Sequence, residues 1–507
     1  MLLNLRGGGP LYRRLGQALK SAIRAGRLAQ GARLPSSRAL ADDLGVSRNT
    51  VMLAYEQLMA EGYLVSRDRA TTSVAAGAPP PAPRTSRPGV ERRPRLSTYG
   101  RRLTEDLGLP PSTAYASRPE LRYDFRYGRP WMQQFPHEVW RRLLAAHARR
   151  ASIDAFGYGP PEGLASLRAA LAEYLARSRG VVCEADQIVI VSGSQQGIDL
   201  AARVLLDAGD GVVMEEPHYP GARLVYEALG ARLIGVPVDG NGLDTTRLPA
   251  PSAGVRLASV TPCHQFPTGV IMPVARRQAL LEWASRANAF ILEDDYVSEF
   301  RYEGRPLEAL QALDHEGRVV YLGTFSKTLF PALRLAYLVV PRALVRAFVA
   351  AKWLTDRYTA MLGQAALADF ITSGHFERYL RRARAGNAAR RRVLIGSLRR
   401  HLGDRIEIVG DNAGVHLLVW LNDVRADGAE AIIAGAARVG VGVYPITSFF
   451  FRPPRRAGLL FGYAALSEAE IRAGVERFAS VVAPARSRRR PAPQLPKMAS
   501  GMSAETT

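Results

Sequence analysis

The sequence predicts an α/β chain in two folded parts: a small helix-turn-helix domain, then a large domain built on a mainly parallel central sheet. Three observations predict it. Apolar residues recur at helical spacing through the first part, a Pro/Arg-rich stretch then interrupts the chain, and beyond it apolar runs alternate with helical stretches. Strands alternating with helices require crossover connections, the pattern of a parallel sheet covered by helices. At 507 residues and 47% hydrophobic content the chain can build more than one core.

The first part begins with "PLYRRLGQALKSAIRAG", in which Leu11, Leu15, Leu19 and Ile23 recur every four residues behind a proline, and Gly26 stands where a helix would stop. Next, "LPSSRALADDLGVSRNTVMLAYEQLMAEGYLV" reads as a short helix over 37–44, a Gly45-Val46 turn and a helix capped by Ser47, with Val51, Tyr55 and Leu58 facing inward. Two helices joined in this way form a helix-turn-helix, whose second helix enters the DNA major groove. Arg48, Asn49 and Thr50, left outward at its start, can donate to phosphates or base edges.

Charge placement agrees with a nucleic-acid partner at this end. The chain carries 68 Lys+Arg against 46 Asp+Glu, a net +22, and residues 1–102 alone hold 18 against 6, a net +12. Other partners and compartments are disfavoured. Two distant cysteines, Cys183 and Cys263, form neither a disulfide framework nor a zinc site, so no metal is expected. No signal-like segment and no apolar run of bilayer length stands out, so a cytoplasmic protein without a membrane partner is the expectation.

"AAGAPPPAPRTSRPGVERRPRLS" has six prolines between Ala75 and Ser97, too many for a helix or a central strand, and reads as an extended linker. The expected division is therefore a DNA-binding domain over 1–75, a Pro/Arg-rich linker over 76–102, the large domain over 103–483, and a disordered basic tail over 484–507.

In the large domain, "DQIVIVSGSQQGIDLAARVLL" is a strand, a Ser-Gly-Ser turn and a helix whose free N–H groups can bind phosphate. "AFILEDDYVSEF" is a strand ending in Asp294, Asp295 and Tyr296, and open α/β sheets bind ligands at such ends. "YLGTFSKTLFPALRLAYLVV" carries Lys327, one of only four lysines (Lys20, Lys327, Lys352 and Lys497) in a chain that otherwise uses arginine. A lysine there supplies what arginine cannot, an amine able to lose its proton and attack a carbonyl. Pyridoxal phosphate needs a lysine for its aldehyde, a carboxylate for its ring nitrogen and donors for its phosphate. Lys327, the Asp294 pair, Ser194 at its helix start and Arg334 provide this set.

Residues from about Pro10 to Val74 resemble the winged-helix domain of the GntR superfamily, which implies DNA contacts by Arg38, Ser47, Arg48 and Thr50. The wing departs from the family pattern, reading "SRDRATTSVA" without a tip glycine. From about Tyr123 to Ala479 the chain resembles fold-type I aminotransferases, on "YGPPEG", "SGSQQGIDL", "EEPHYPGAR", "TPCHQFPTGVIMP", "EDDYVSEFRY" and "GTFSKTLFPALRLAYLV". The two halves together look like the MocR/GabR family of transcriptional regulators. The resemblance implies a Schiff base between Lys327 and pyridoxal 5'-phosphate, Asp294 at the pyridine nitrogen, Tyr296 at the ring hydroxyl and Tyr219 stacked on the ring. It also implies Ser194, Gln195, Thr324, Ser326 and Arg334 around the phosphate. Tyr158 matches a tyrosine that reaches the neighbouring subunit's site, which implies a homodimer.

Three departures leave alternatives open. Asp294 and Tyr296 are one residue closer than is usual, so Asp295 is an alternative ring partner. "HQFPTG" stands where enzymes have Asn-Pro-Thr-Gly, with His264 or Gln265 as candidates for the asparagine's role. In "LLFGYAAL", Leu460 occupies the position aligned with the arginine that grips a substrate carboxylate, and Arg223 and Arg455 are candidate substitutes. The expected function is a regulator on double-stranded operator DNA that responds to a small amine or amino-acid effector or to pyridoxal phosphate itself. The alternative is a working aminotransferase that carries a DNA-binding head.

Overall fold

The computed structural model describes residue 5 and residues 8–67, 71–76, 95–107, 120–150, 157–304 and 307–482. Two compact units divide between Arg95 and Leu96. Most of the expected linker, all of the expected tail and the wing tip (68–70) lie outside the described residues.

The smaller unit contains α1 (Leu11–Arg24), α2 (Ser37–Leu44) and α3 (Arg48–Ala60), followed by a hairpin of β1 (Leu64–Arg67) and β2 (Thr71–Val74). Leu15, Leu19 and Ile23 of α1 pack with Leu40 of α2 and with Val51, Tyr55 and Leu58 of α3 in one core. The helix ends follow their capping chemistry. Ser36 accepts from the Ala39 N–H and Ser47 from the Thr50 N–H, while Gly45 ends α2 at φ +62°, a left-handed conformation that costs glycine little.

The larger unit opens earlier than expected. A short helix, Thr98–Arg101, forms inside the stretch assigned to the linker, because the last proline is Pro94 and Ser97 caps the helix through the Gly100 N–H at 3.0 Å. Arg102 then donates to the Ala228 carbonyl at 3.4 Å, joining this segment to the larger unit.

Its main sheet has eight strands: β3 (Ile188–Val191), β4 (Gly211–Glu216), β5 (Arg232–Asp239), β6 (Gly242–Leu243), β7 (Val255–Val260), β8 (Phe290–Asp295), β9 (Val319–Thr324) and β10 (Ala336–Val339). Their order is β3–β10–β9–β8–β7–β4–β5–β6. The five strands from β9 to β5 are mutually parallel, and β10 and β6 run against their neighbours. Side-chain alternation explains why these strands read as unbroken apolar runs. Ile188 and Ile190 pack into the core on one face, Val189 and Val191 into the core on the other, so both faces are covered. A second, antiparallel sheet pairs Ile406–Val409, His416–Arg425, Arg456–Gly462 and Tyr444–Pro445 in that order. Among the described residues no helix is long and apolar enough to cross a membrane.

Candidate functional site

A cleft of about 470 Å³ lies where the C-terminal ends of β8 and β9 meet the start of α4 (Ser194–Leu205). Ser194, Gln195, Tyr219, Asp294, Tyr296, Thr324, Ser326, Lys327 and Arg334 all line it, gathering nine of the ten expected cofactor residues. Tyr158, the tenth, is 86% exposed and lies outside this chain's own cleft, with its ring against Tyr358 and beneath the Arg357 guanidinium.

Lys327 follows β9, and its Nζ donates to the Gly128 carbonyl at 3.1 Å. Gly128 has φ +75°, and a Cβ there would stand 2.8 Å from that nitrogen, so only glycine allows the approach. Burial lowers the Lys327 pKa while the Asp294 charge opposes the shift. This favours the neutral amine that carbonyl attack requires.

Strand alternation separates the two aspartates. Asp295 points away from the cleft, where it pairs with Arg179 at 2.7 Å and accepts from the Tyr321 hydroxyl at 2.8 Å. Asp294 points into the cleft, and its buried Oδ1 has no hydrogen-bond partner; neither has the buried Tyr296 hydroxyl. Burial, reinforced by the Asp295 charge and opposed by Lys327, pushes the Asp294 pKa up to about 7. Buried polar atoms normally find partners, so orphans facing a cleft mark where a ligand's complementary groups fit.

At the other end, Gly193 precedes α4 at φ +101°, and a Cβ there would fall 2.7 Å from the Arg334 guanidinium. Arg334 donates to the Ser192 carbonyl at 2.6 Å. Free N–H groups, a positive helix end and a guanidinium together make an anion cradle. Gln195 donates to the Gly221 carbonyl at 2.8 Å and accepts from the Tyr219 hydroxyl at 3.4 Å, which holds the tyrosine at the cleft wall. These residues fit pyridoxal phosphate: an amine, a carboxylate, a phenol and an anion cradle in one cleft.

Neither candidate for the asparagine's role lines the cleft, where Phe266 stands instead. Gln265 spends its amide on the Pro217 carbonyl at 2.8 Å and the Thr268 hydroxyl at 2.6 Å. His264 is buried, its ring beside His416 and Tyr296, and burial drives its pKa down to about 3. Arg223 pairs with Glu227 at 2.8 Å beside Phe451 and Arg455 is exposed; neither lines the cleft. Leu460 packs behind the wall with Phe266, Leu418, Ile446 and Phe449. The guanidinium groups that the motifs missed are Arg126 and Arg129, which share Asp124 at 3.5 and 3.3 Å. They flank the glycine that touches Lys327, but "DFRYGRP" has no spacing relation to the lysine segment that could have revealed them.

In the smaller unit Arg38, Ser47, Arg48 and Asn49 are exposed, and Thr50 is half-buried. Ser47 and Thr50 share a hydroxyl contact of 2.8 Å, so both are engaged in capping α3. Arg48 reaches the Ser37 hydroxyl at 3.4 Å, which holds its guanidinium between the two helices of the motif. Met52 and Leu53 are also exposed on α3, at 39% and 40%.

Residues 131–478 match the family model described as aminotransferase class I and II, and residues 11–74 that of bacterial regulatory proteins, gntR family. The probable rhizopine catabolism regulatory protein MocR of Rhizobium meliloti is 41% identical over 478 residues, covering 93% of each chain. The HTH-type transcriptional regulator TauR of Rhodobacter capsulatus is 35% identical, covering 93% of this chain and 96% of its own. Among solved structures, the alpha-aminoadipate aminotransferase of Thermus thermophilus, complexed with N-(5'-phosphopyridoxyl)-L-leucine, superposes with a TM-score of 0.66 at 28% identity over 76% of this chain and 95% of that one. The chain belongs to the MocR-type members of the gntR family, in which a winged helix-turn-helix domain is joined to an aminotransferase class I and II domain.

Proposed function

We propose that this protein is a DNA-binding transcriptional regulator whose larger unit binds pyridoxal phosphate and senses it, alone or with a small amine or amino-acid effector. The observation that carries the reading is that relatedness to named regulators runs through both units at once, over 478 residues in one case. When bound, the cofactor supplies an aldehyde and a conjugated, electron-withdrawing ring. Lys327 would offer the amine that holds it, Asp294 would keep a proton on the ring nitrogen, and Tyr296 would donate to the ring hydroxyl. Tyr219 would cover one ring face, while Ser194, Gln195, Thr324, Ser326 and Arg334 would surround the phosphate. The absence of a guanidinium at Leu460 weakens the case for ordinary amino-acid transamination. Arg126 and Arg129 are the cleft's own candidates for an effector's anionic group.

An exposed Tyr158 fits a homodimer in which it completes the neighbouring cleft, and a dimer of gntR-type heads reads two half-sites. A cytoplasmic location is consistent with a DNA-binding role. Two assays on the full-length protein test the reading. Binding to promoter fragments beside its own gene is expected to be sequence-selective and to shift on adding pyridoxal phosphate or an amine. Steady-state assays with an amine panel and a keto-acid acceptor are expected to show no multiple turnover. Sustained turnover with unselective DNA binding would establish the enzyme instead.

Arg48→Ala is expected to cost about 1 to 3 kcal/mol on the cognate site and to relax base preference, as loss of a base-edge contact does. A phosphate-only contact would instead weaken all sequences alike and reduce the salt slope by about one. Fluorescence anisotropy at several salt concentrations separates the two. Unchanged affinity and preference in a folded variant would remove Arg48 from the interface.

A further inference from the structure

Lys352, the second lysine of this arginine-rich chain to lie in the larger unit's described residues, is fully buried outside the cleft. It sits near the end of the helix Val345–Asp356, and its Nζ donates to Asp356 Oδ1. The other oxygen of that carboxylate bonds residues on either side of the Gly193-Ser194 pair. Asp356 Oδ2 accepts from Gln196 Nε2 at 2.8 Å and from the Ser192 hydroxyl at 3.3 Å. Gln196 returns its Oε1 to the Ser192 N–H at 2.7 Å, and the Ser192 carbonyl receives Arg334. An unbroken chain of polar contacts therefore runs from Lys352 to both sides of the Ser192-Gly193-Ser194 turn.

A carboxylate is an unexpected brace beside an anion cradle, since like charges at short range disfavour each other. Lys352 removes that conflict. We propose that Lys352 is a positioning residue for the cofactor's phosphate: its ammonium pairs with Asp356, so that Asp356 can orient the turn without repelling the anion the turn holds. The proposal rests on the pyridoxal phosphate reading above. The compact ammonium on a slender stem also fits a fully buried helix position where a guanidinium would have to place a broad plane.

The test compares pyridoxal phosphate with pyridoxal, which has the same aldehyde and ring without the phosphate, on the full-length protein. Dissociation constants come from absorbance or fluorescence titration. Lys352→Met is expected to weaken pyridoxal phosphate about tenfold or more while pyridoxal changes less than about twofold, the scale of losing one charge-assisted contact's support. Removing the stranded carboxylate as well, in Lys352→Met/Asp356→Asn, is expected to recover most of that loss, a signature that a purely packing role does not produce. Gln196→Leu, at the accessible end of the chain, is expected to lose several-fold for pyridoxal phosphate alone, and it answers the question should Lys352→Met fail to fold. An unchanged ratio of the two affinities in Lys352→Met and Gln196→Leu, or a double variant no better than Lys352→Met, overturns the proposal. Wild-type protein that binds both compounds equally, or neither, overturns the cofactor reading and this proposal with it.

Discussion

Lys327→Ala protein treated with pyridoxal phosphate and then borohydride is expected to carry no covalently fixed cofactor at this position, where wild type carries one per chain. The expectation follows from where the amine sits. Among the described residues Lys327 is the only lysine in the cleft lining and is in no ion pair; burial lowers its pKa, and its Nζ rests 3.1 Å from a backbone carbonyl. Lys20 is paired with Glu61 and Lys352 with Asp356. Lys327→Arg is the sharper control. It keeps a cation near Asp294 but cannot release a proton at neutral pH, so it too is expected to give no adduct. Both variants keep the anion cradle and are expected to retain weaker, reversible binding through the phosphate. Peptide mass mapping after reduction checks the result, and a wild-type level of adduct elsewhere in Lys327→Ala would move the assignment to another lysine.

The same residues show what a sequence can carry by itself. Helix ends were legible because their causes are local: Ser47 followed by the Thr50 N–H, or Gly45 at φ +62°, need only neighbours along the chain. The order of phosphate turn, acid and lysine was legible for a related reason. Each stands at the C-terminal end of a strand in one sheet, and the apolar runs of those strands mark where each ends.

The rest of the cleft is tertiary. Phe449, His416 and Tyr444 come from the segments around the second sheet, and Arg126 and Arg129 from a stretch nearly two hundred residues before Lys327. Their approach is set by packing between these segments, which leaves no spacing to read. Phe266 was hidden differently. "HQFPTG" offers two polar side chains where a polar role was sought, but Gln265 is consumed by the Pro217 and Phe266 carbonyls and the Thr268 hydroxyl, and the apolar neighbour faces the cleft. The choice between Asp294 and Asp295 was half legible. Period-two alternation requires them to face opposite sides of β8, but which side holds the cleft depends on how the helices cover the sheet.

That choice yields opposite consequences for two adjacent aspartates. Asp295→Asn is expected to destabilise the larger unit by about 3 to 5 kcal/mol, because it leaves the Arg179 guanidinium, itself 4% exposed, without its charge partner. Asp294→Asn is expected to do the reverse in cofactor-free protein. Its carboxyl has an ordinary value of 3.8 and is pushed up to about 7 in the folded chain, so the folded state holds its proton more tightly than the unfolded one. Folding stability therefore falls as pH rises from about 4 to about 7, and the variant escapes that loss. Its advantage should be absent near pH 4, grow to a plateau of a few kcal/mol above about pH 7, and appear as a raised Tm. With pyridoxal phosphate present the ranking inverts. An ionised Asp294 beside the ring would raise the pKa of the pyridine nitrogen, which asparagine cannot do. Asp294→Asn should thus bind the cofactor more weakly, shift its visible absorption and gain less Tm from it, while folded Asp295→Asn keeps a near wild-type spectrum. Thermal melts at pH 5 and pH 8, with and without cofactor, read both effects. A cofactor-free Asp294→Asn protein that melts below wild type at pH 8, or an Asp295→Asn spectrum more altered than that of Asp294→Asn, would transfer the ring-partner role to Asp295.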